Sequence, residues 1–279
     1  MKSVTHLVLG VIKPAFGPVQ LAGIQTERLQ RFISTVPTGA PNIHNIVKCL
    51  RAVWKSARAW GYASHNPFDG LVMPTIEKSE QPFFTYAEVC QILAAAPEPD
   101  KTLYWLLAQT GLRIGEVLAL TWETVDLENS IIQVRGTVAR SKVREYKTKT
   151  KAAKRLIPLS PRLQEHLSVF RTRLWRENSL GLLFANSVGK PHSADNFLIY
   201  RLQPLLETLK LETAGFHAFR HASATILSLM KVPMEIRLAR MGHMEEEMTL
   251  KYTHVIDAAV REVARGFDQL LLPERAANG

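Results

Sequence analysis

Cysteine is scarce in this 279-residue chain, which contains only Cys49 and Cys90. Two cysteines are too few for a disulfide framework or a zinc finger, and they fit a reducing compartment. No hydrophobic run is long enough for a membrane-spanning helix. The apolar run at residues 7–12 is cut short by Lys13 and Pro14, before it reaches the length of a signal-peptide core. We therefore expect a cytoplasmic protein without a membrane partner.

Acidic residues are also fewer than basic ones. The chain has 25 Asp and Glu against 35 Lys and Arg, which gives a net charge of +10. This balance favours a polyanionic partner, nucleic acid before an anionic membrane surface. Hydrophobic residues make up 46% of the sequence, as in ordinary globular proteins, and the length is sufficient for two domains with separate cores.

The first 78 residues have a helical pattern. Thr26 is predicted to cap one helix, and a longer helix is predicted from Asn42, as its N-cap, to Gly61 in the left-handed position after its last turn. Beside its apolar stripe, this helix has a basic stripe formed by Lys48, Arg51, Lys55 and Arg58. Such a stripe is either a solvated face or a face that contacts phosphates, and the sequence favours neither interpretation.

A polar segment, PTIEKSEQP at residues 74–82, indicates a linker, and we place a domain boundary after residue 78. Beyond it, Thr85 and Glu88 have capping-box spacing at the start of a helix. Between residues 131 and 159, β-branched runs broken by Gly136 and a lysine-rich turn predict a small antiparallel sheet. Helices return after Ser160 and a following proline. The predicted fold class is mainly α with a small antiparallel β-sheet.

An arginine lies within the apolar segment TGLRIGEVLALTW, residues 110–122. If the segment is helical, Arg113 shares a face with Glu116, Val117 and Leu120. Because a guanidinium group keeps its proton, a buried arginine needs an anionic partner. Glu116 could be that partner in a structural ion pair, and a phosphate is the alternative.

Polar residues recur in three further places. His217 and Arg220 lie three residues apart in FHAFRH, and His243 precedes Tyr252 by nine residues. The turn of the predicted sheet has three lysines, Lys147, Lys149 and Lys151. Each group alone has an ordinary explanation, as a helix surface, a core tyrosine or a solvated hairpin. Zinc is not expected, because the histidines have no carboxylate or cysteine at ligand spacing.

Taken together, these residues fit one chemistry. Arginine and lysine side chains can hold a phosphate and stabilise the charge that develops on its oxygens. A tyrosine hydroxyl can attack the phosphorus, and histidines can accept and return a proton near neutral pH. Since the cations belong to the protein, neither a metal nor another cofactor is needed.

In combination, these motifs resemble the tyrosine recombinases of the phage integrase family. The motifs are TGLRIGEVLAL, a KT-containing hairpin before RLIPL, HxxRH, and GH followed nine residues later by Y and then TH. The resemblance extends from about residue 20 to about residue 266. It implies a helical core-binding, DNA-binding domain at residues 1–78 and a catalytic domain with a three-stranded sheet and a C-terminal tail helix at residues 79–279.

The resemblance also implies a role for each matching position. Arg113 and Arg220 would be the two arginines of a phosphate clamp, and Tyr252 would be the nucleophile. His217 would accept a proton beside the phosphate. His243 would bind a non-bridging oxygen.

Two further positions are implied by the same resemblance. Lys149 best matches the hairpin lysine that protonates the departing 5′ oxygen, with Lys147 and Lys151 as alternatives. Glu116 matches an acidic residue that supports the site. Ala218 departs from the family, which often has aspartate there, and we expect activity to survive this change. The extra N-terminal domain that many integrases use for arm-type DNA sites is not expected here.

The implied function is site-specific recombination of double-stranded DNA through a 3′-phosphotyrosine intermediate, without metal or ATP. The implied assembly is a homotetramer on synapsed DNA that exchanges a tail helix at residues 257–271, although this tail could also dock on its own subunit. The protein would be nucleoid-associated when bound to DNA. Two alternatives stay open: a type IB topoisomerase-like enzyme, and a non-catalytic DNA-binding integrase remnant that acts as a regulator.

Overall fold

The computed structural model describes residues 8–77, 82–139, 141–146, 155–242, 263–267 and 271. The chain divides into two compact units, residues 1–80 and 81–279, and each has its own hydrophobic core. It is mainly helical with small antiparallel sheets, which confirms the predicted fold class. Within the described segments, no helix has both the length and the hydropathy needed to cross a membrane.

The first unit is a helical bundle. After a π-helical stretch at Val8–Ile12 come α1 (Lys13–Phe16), a 3-10 turn (Leu21–Gly23), α2 (Thr26–Thr35) and α3 (Ala40–Ala59). The predicted apolar stripe of α3 is buried, and it consists of Ile43, Ile46, Val47, Leu50, Trp54 and Ala57. Trp54 also donates a hydrogen bond from Nε1 to the carbonyl of His65, at 2.8 Å. The stripe and this bond fix which face of α3 points outward.

The starts of both predicted helices in this unit were wrong. Thr26 is the first residue of α2 rather than its cap, and its hydroxyl donates to the carbonyl of Asp69 at 3.3 Å. α3 begins at Ala40, after Gly39. A proline in the first turn explains the earlier start, since its fixed φ suits that position and its missing N–H is not needed there. The end was right, because Gly61 has φ +79°.

The second unit contains the remaining elements. Its helices are α4 (Tyr86–Ala95), α5 (Asp100–Thr110), α6 (Ile114–Val117), α7 (Pro161–Val169), α8 (Ala194–Phe197), α9 (Gln203–Thr208), α10 (His217–Leu229) and α11 (Met234–Met241). α7 continues as a π-helix through Phe170–Leu174, and another π-helix, Leu198–Leu202, joins α8 to α9. The predicted capping box is confirmed, since Thr85 and Glu88 exchange both hydrogen bonds at the start of α4.

The strands are antiparallel, as the sequence predicted, but they form two small sheets rather than one. Their bounds are β1 (Val125–Asp126), β2 (Ile131–Val134), β3 (Gly136–Ala139), β4 (Lys142–Glu145) and β5 (Arg155–Pro158). β1, β2 and β5 make a three-stranded sheet in that order, and β3 and β4 make a separate pair. Arg155 pairs with Val134, so the register places Arg155 at the start of β5. Ser160 then caps α7 by accepting from the N–H of Leu163 at 3.2 Å.

The segment at residues 110–122 is not one helix, so the predicted face shared by Arg113, Glu116, Val117 and Leu120 was wrong. α5 ends at Thr110, and Gly111 adopts a left-handed conformation with φ +65°. Arg113 is extended and is the N-cap of the short α6, where Glu116 accepts its backbone N–H at 2.9 Å. A glycine stop followed by a new capping interaction therefore breaks the helix and points Arg113 away from the core.

Candidate active site

Arg113 lies at the edge of the candidate site. Its side chain is 45% exposed, and its Nη1 is 3.5 Å from Oε1 of Glu116. The ion pair that the sequence suggested is therefore present but long for a charge-assisted hydrogen bond. The exposed guanidinium group can still reach an anion from solvent.

Glu116 is buried and is held mainly by other residues. Its carboxylate accepts from Arg155 at 3.0 and 3.1 Å and from the hydroxyl of Tyr146 at 2.9 Å. Burial would raise the pKa of Glu116, but the hydrogen bonds and charge of Arg155 outweigh it and hold this pKa below its usual range. Burial and the carboxylate of Glu116 raise the pKa of Tyr146 to about 12, so this hydroxyl stays protonated as a donor.

Arg220 lies one turn into α10 and is buried. Its Nη1 donates to the carbonyl of Gly111, and its Nη2 donates to the carbonyl of Met241 at 2.6 Å. Burial lowers the pKa of Arg220 to about 10, and the charges of Arg113 and Arg155 contribute to that shift. The group is still protonated at neutral pH, and two backbone segments fix its plane.

His217 is the first residue of α10, and its ring is 5.7 Å from that of His221. Desolvation lowers the pKa of His217, and the positive charges of His221, Arg220 and Arg113 lower it further. Arg220 lies one turn after His217 on α10, and the charges of Arg220 and Arg113 both act on the His217 imidazole. A pKa below the usual value keeps the imidazole neutral at neutral pH, so it can accept a proton.

The C-terminal end of α11 borders the same site. Gly242 follows α11 with φ +71°, and the carbonyl of Arg240 accepts from Nε of Arg155 at 3.2 Å. Arg240 itself is buried: its Nη2 donates to the carbonyl of Gln109 at 2.9 Å, and its guanidinium lies 5.7 Å from the ring of Phe267. Burial lowers the pKa of Arg240 to about 10.

Sequence reasoning missed Tyr146, Arg155 and Arg240. Arg155 and Arg240 belong to a strand and a helix that the sequence predicted, and Tyr146 follows the exposed strand β4. A local pattern carries no information on which distant carboxylate or carbonyl a polar side chain reaches. The RLIPL motif begins with Arg155 and was used as part of the family resemblance and as a strand, without a role for Arg155 itself. The other predicted site residues, Lys149 with its alternatives Lys147 and Lys151, His243 and Tyr252, lie outside the described residues.

The predicted basic stripe is a separate feature of the first unit. Lys48, Arg51, Lys55 and Arg58 are all exposed on α3. A cleft of about 520 Å³ borders this face and is lined by three of these cations together with Trp54, Phe68 and Asp69. The guanidinium of Arg51 lies 5.5 Å from the ring of Phe68, which orients it.

Comparison with known proteins identifies the family. The model of the phage integrase family matches residues 82–259. The integrase of Staphylococcus phage L54a is 25% identical over 289 residues, covering 89% of this chain and 80% of the relative. A XerC-like tyrosine recombinase of Caldanaerobacter subterraneus subsp. tengcongensis is 29% identical over 266 residues, covering 85% of this chain and 68% of the relative.

Solved structures show the same fold. The integrase of the transposon Tn1549, in complex with transposon right end DNA, superimposes with a TM-score of 0.74 at 21% identity, covering 94% of each chain. A lambda integrase tetramer bound to a Holliday junction gives a TM-score of 0.65 at 16% identity, covering 88% of this chain and 73% of the other. Since the family model matches well over half of its length, this chain belongs to the phage integrase family and is an enzyme of the tyrosine recombinase class.

Proposed function

We propose that the chain cleaves and rejoins double-stranded DNA through a covalent 3′-phosphotyrosine intermediate, with Tyr252 as the nucleophile. One observation carries the proposal: Arg220 is held by two backbone carbonyls beside Arg113 and His217. A guanidinium group fixed before substrate binds needs no reorganisation when charge develops on a phosphate. Its remaining N–H groups are donors for the phosphate oxygens.

Arg113 completes the phosphate clamp. Because Arg155 satisfies the buried carboxylate of Glu116, Arg113 is not required as its neutralising partner. Together the two arginines would stabilise the equatorial oxygens of the phosphate in the pentacoordinate state. His243, the residue after Gly242, is proposed to donate to a non-bridging oxygen.

His217 acts in this scheme as the proton acceptor. Its lowered pKa favours the neutral imidazole, which takes the proton of the Tyr252 hydroxyl as the phenolic oxygen attacks phosphorus. The bond between phosphorus and the 5′ oxygen breaks, and the departing oxygen takes a proton from Lys149, with Lys147 and Lys151 as alternatives. A 5′ hydroxyl then attacks the phosphotyrosine and restores the phosphodiester.

Neither ATP nor a metal ion is part of the proposed reaction. The phosphotyrosine conserves the energy of the phosphodiester bond, so rejoining requires no other energy source. The charge of the reacting phosphate is balanced by protein cations, Arg113 and Arg220 among them. Addition of EDTA and omission of ATP should therefore leave the cleavage rate unchanged.

Double-stranded DNA is the proposed partner, with the basic face of α3 contributing phosphate contacts. Both relatives whose structures are compared above were solved with DNA.

In this single chain the described part of the tail docks on its own unit: Phe267 and Leu271 are buried, and the Cys90 thiol donates to the carbonyl of Leu271 at 3.5 Å. We propose that the tail moves to a neighbour in a homotetramer on DNA. Sedimentation of the full chain with DNA should give four protomers, and a lone protomer on each duplex would contradict this.

Covalent capture tests the reaction. Nicked duplexes cut from the DNA that flanks the coding sequence would trap the enzyme, because loss of the short strand prevents rejoining. We expect a protein–DNA adduct on a denaturing gel for the natural chain and none for Tyr252→Phe. Tyr200→Phe is the matched control, since Tyr200 is 72% exposed and lies outside the proposed site.

Covalent capture, together with assays of supercoil relaxation and of strand exchange, separates the alternatives. DNA binding without an adduct would indicate a regulator that has lost catalysis. An adduct together with relaxation of supercoils, but without strand exchange, would indicate a topoisomerase. Exchange of strands between two duplexes would establish the recombinase.

A further inference from the structure

Arg155 takes part in none of the chemical steps above, although its side chain joins two segments of the site. We infer that Arg155 is a positioning residue that keeps Arg113 available for the scissile phosphate and sets the turn before His243. This inference rests on the proposed function. In this role Arg155 binds the carboxylate of Glu116, which leaves Arg113 free to bind a DNA phosphate.

All three nitrogen atoms of the Arg155 guanidinium are used. Nη1 and Nη2 donate to the two oxygens of Glu116 at 3.1 and 3.0 Å, and Nε donates to the carbonyl of Arg240 at 3.2 Å. The side chain is only 9% exposed. A planar, bidentate fork of this kind has one orientation, so Arg155 fixes the distance between α6 and the end of α11.

The electrostatics explain why Arg113 depends on Arg155. Glu116 is 1% exposed, and a buried carboxylate without a cation is strongly destabilising. Within the described part of the chain, two arginines form ion pairs with Glu116: Arg155 at 3.0 Å and Arg113 at 3.5 Å. If Arg155 is removed, Arg113 becomes the remaining cation and is drawn toward Glu116. It is then withdrawn from the phosphate.

The turn after α11 depends on Arg155 as well. Gly242 has φ +71°, and a Cβ atom at this position would lie 2.9 Å from Cζ and Nη1 of Arg155. The backbone thus passes directly over the guanidinium group, at a distance that only glycine allows. A displaced guanidinium group would therefore change the backbone at Gly242, the residue that precedes His243 in the sequence.

The test compares single-turnover cleavage of the nicked duplex at saturating DNA. For Arg155→Gln we expect cleavage about 100-fold slower, because misplacing a clamp by about 1 Å has an effect of this size. DNA affinity should be unchanged. Adding Glu116→Gln should recover about tenfold of the lost rate, since the buried charge is gone and Arg113 is released. The glutamine amide can still accept the backbone N–H of Arg113.

Recovery in the double variant is the result that a packing role would not give. A double variant as slow as Arg155→Gln, or slower, would overturn the inference, and so would a natural cleavage rate in Arg155→Gln. If Arg155→Gln lacks a cooperative thermal transition, Arg155→Lys replaces it, with an expected rate about tenfold below that of the natural chain. A natural rate in this variant would equally overturn the inference.

The natural chain in the same assay separates this inference from the proposed function. No adduct from the natural chain would reject the phosphotyrosine mechanism itself. An adduct from the natural chain, with rates that do not respond to Arg155, would leave the mechanism standing and reject only the positioning role.

Discussion

The two units of the chain carry their positive charge in opposite ways. On α3 the four basic side chains, Lys48, Arg51, Lys55 and Arg58, are exposed to solvent. In the second unit Arg220 and Arg240 are buried, and backbone carbonyls hold their guanidinium groups. Exposed cations contribute salt-dependent affinity for a polyanion, whereas fixed cations contribute to the rate of a reaction at one phosphate. We therefore expect a separation between residues for DNA binding, on α3, and residues for catalysis, such as Arg220, in the second unit.

This separation has an energetic cost in the second unit only. Removing a guanidinium group from water costs several kcal/mol unless hydrogen bonds and a counter-charge offset it. Glu116 offers the counter-charge to Arg155, while Arg220 and Arg240 rely on carbonyl acceptors. Such an arrangement is expected where geometry matters more than stability, which agrees with a catalytic role for this unit.

The largest effect is expected for Arg220→Lys. A lysine keeps the charge but cannot bridge the carbonyls of Gly111 and Met241 while it also binds a phosphate. Single-turnover cleavage should fall about 100- to 1000-fold, and DNA affinity should change little. Arg173→Lys, on the exposed end of the helix after α7, is the control and should cleave normally. A large loss of affinity in Arg220→Lys would break the separation between binding and catalysis.

Much of the fold could be predicted from the sequence, because apolar periodicity and caps are local signals. The buried stripe of α3 and the capping box at Thr85 are examples. The break in the helix at Gly111 was missed, since the apolar residues on both sides fit one continuous helical pattern. The start of α3 was missed because a proline in its first turn competed with Asn42, a good capping residue.

The candidate site could be predicted only in part, for a physical reason. Arg113, His217 and Arg220 could be proposed because their residue types and spacing match one chemistry. Arg155 was not found, because its role depends on a carboxylate 39 residues away and a carbonyl 85 residues away. No local pattern encodes these contacts. They arise only when β5, α6 and α11 meet in the folded unit.

The next largest effect is expected in the stability of the second unit, which contains the candidate site. A Cβ atom on Gly115 of α6 would lie 2.5 Å from the Thr137 hydroxyl and 2.8 Å from the carbonyl of Val138. Gly115→Ala should therefore lower the free energy of unfolding by about 1–3 kcal/mol, measured by urea denaturation. Gly215→Ala is the control, since no atom lies within 4 Å of its added Cβ. Equal stability of the two variants would show that α6 and β3 move apart to accept the added methyl group, so the second unit would not be rigid at this contact.

The binding side of the comparison is tested on α3. Replacing Lys55 and Arg58 by glutamine should weaken DNA binding about tenfold and reduce the salt dependence of log K by about 0.9 for each lost phosphate contact. Cleavage at saturating DNA should not change. Arg28 and Arg31 on α2, replaced in the same way, remove equal charge from the same unit and should have a smaller effect. If both pairs behave alike, net charge rather than the face of α3 determines affinity.

The smallest effect is a shift in pH dependence within the site. His217 accepts a proton only when it is neutral, and the positive charge of His221 helps to hold the pKa of His217 below its usual value. His221→Asn removes that charge, so the pKa of His217 should rise and the acid limb of the cleavage rate should move to higher pH. His221→Arg makes the charge permanent and should move the limb to lower pH. Single-turnover rates between about pH 5 and 8 would show both shifts, with equal rates at the alkaline end where His217 is neutral in every variant.

The Lys55 and Arg58 variants should leave the acid limb in place, because the exposed charges of α3 affect encounter with DNA and not proton transfer. The assignment of binding to the exposed charges and of catalysis to the site charges would be reversed by the opposite result. In that result the acid limb would stay in place in the His221 variants and move in the α3 variants.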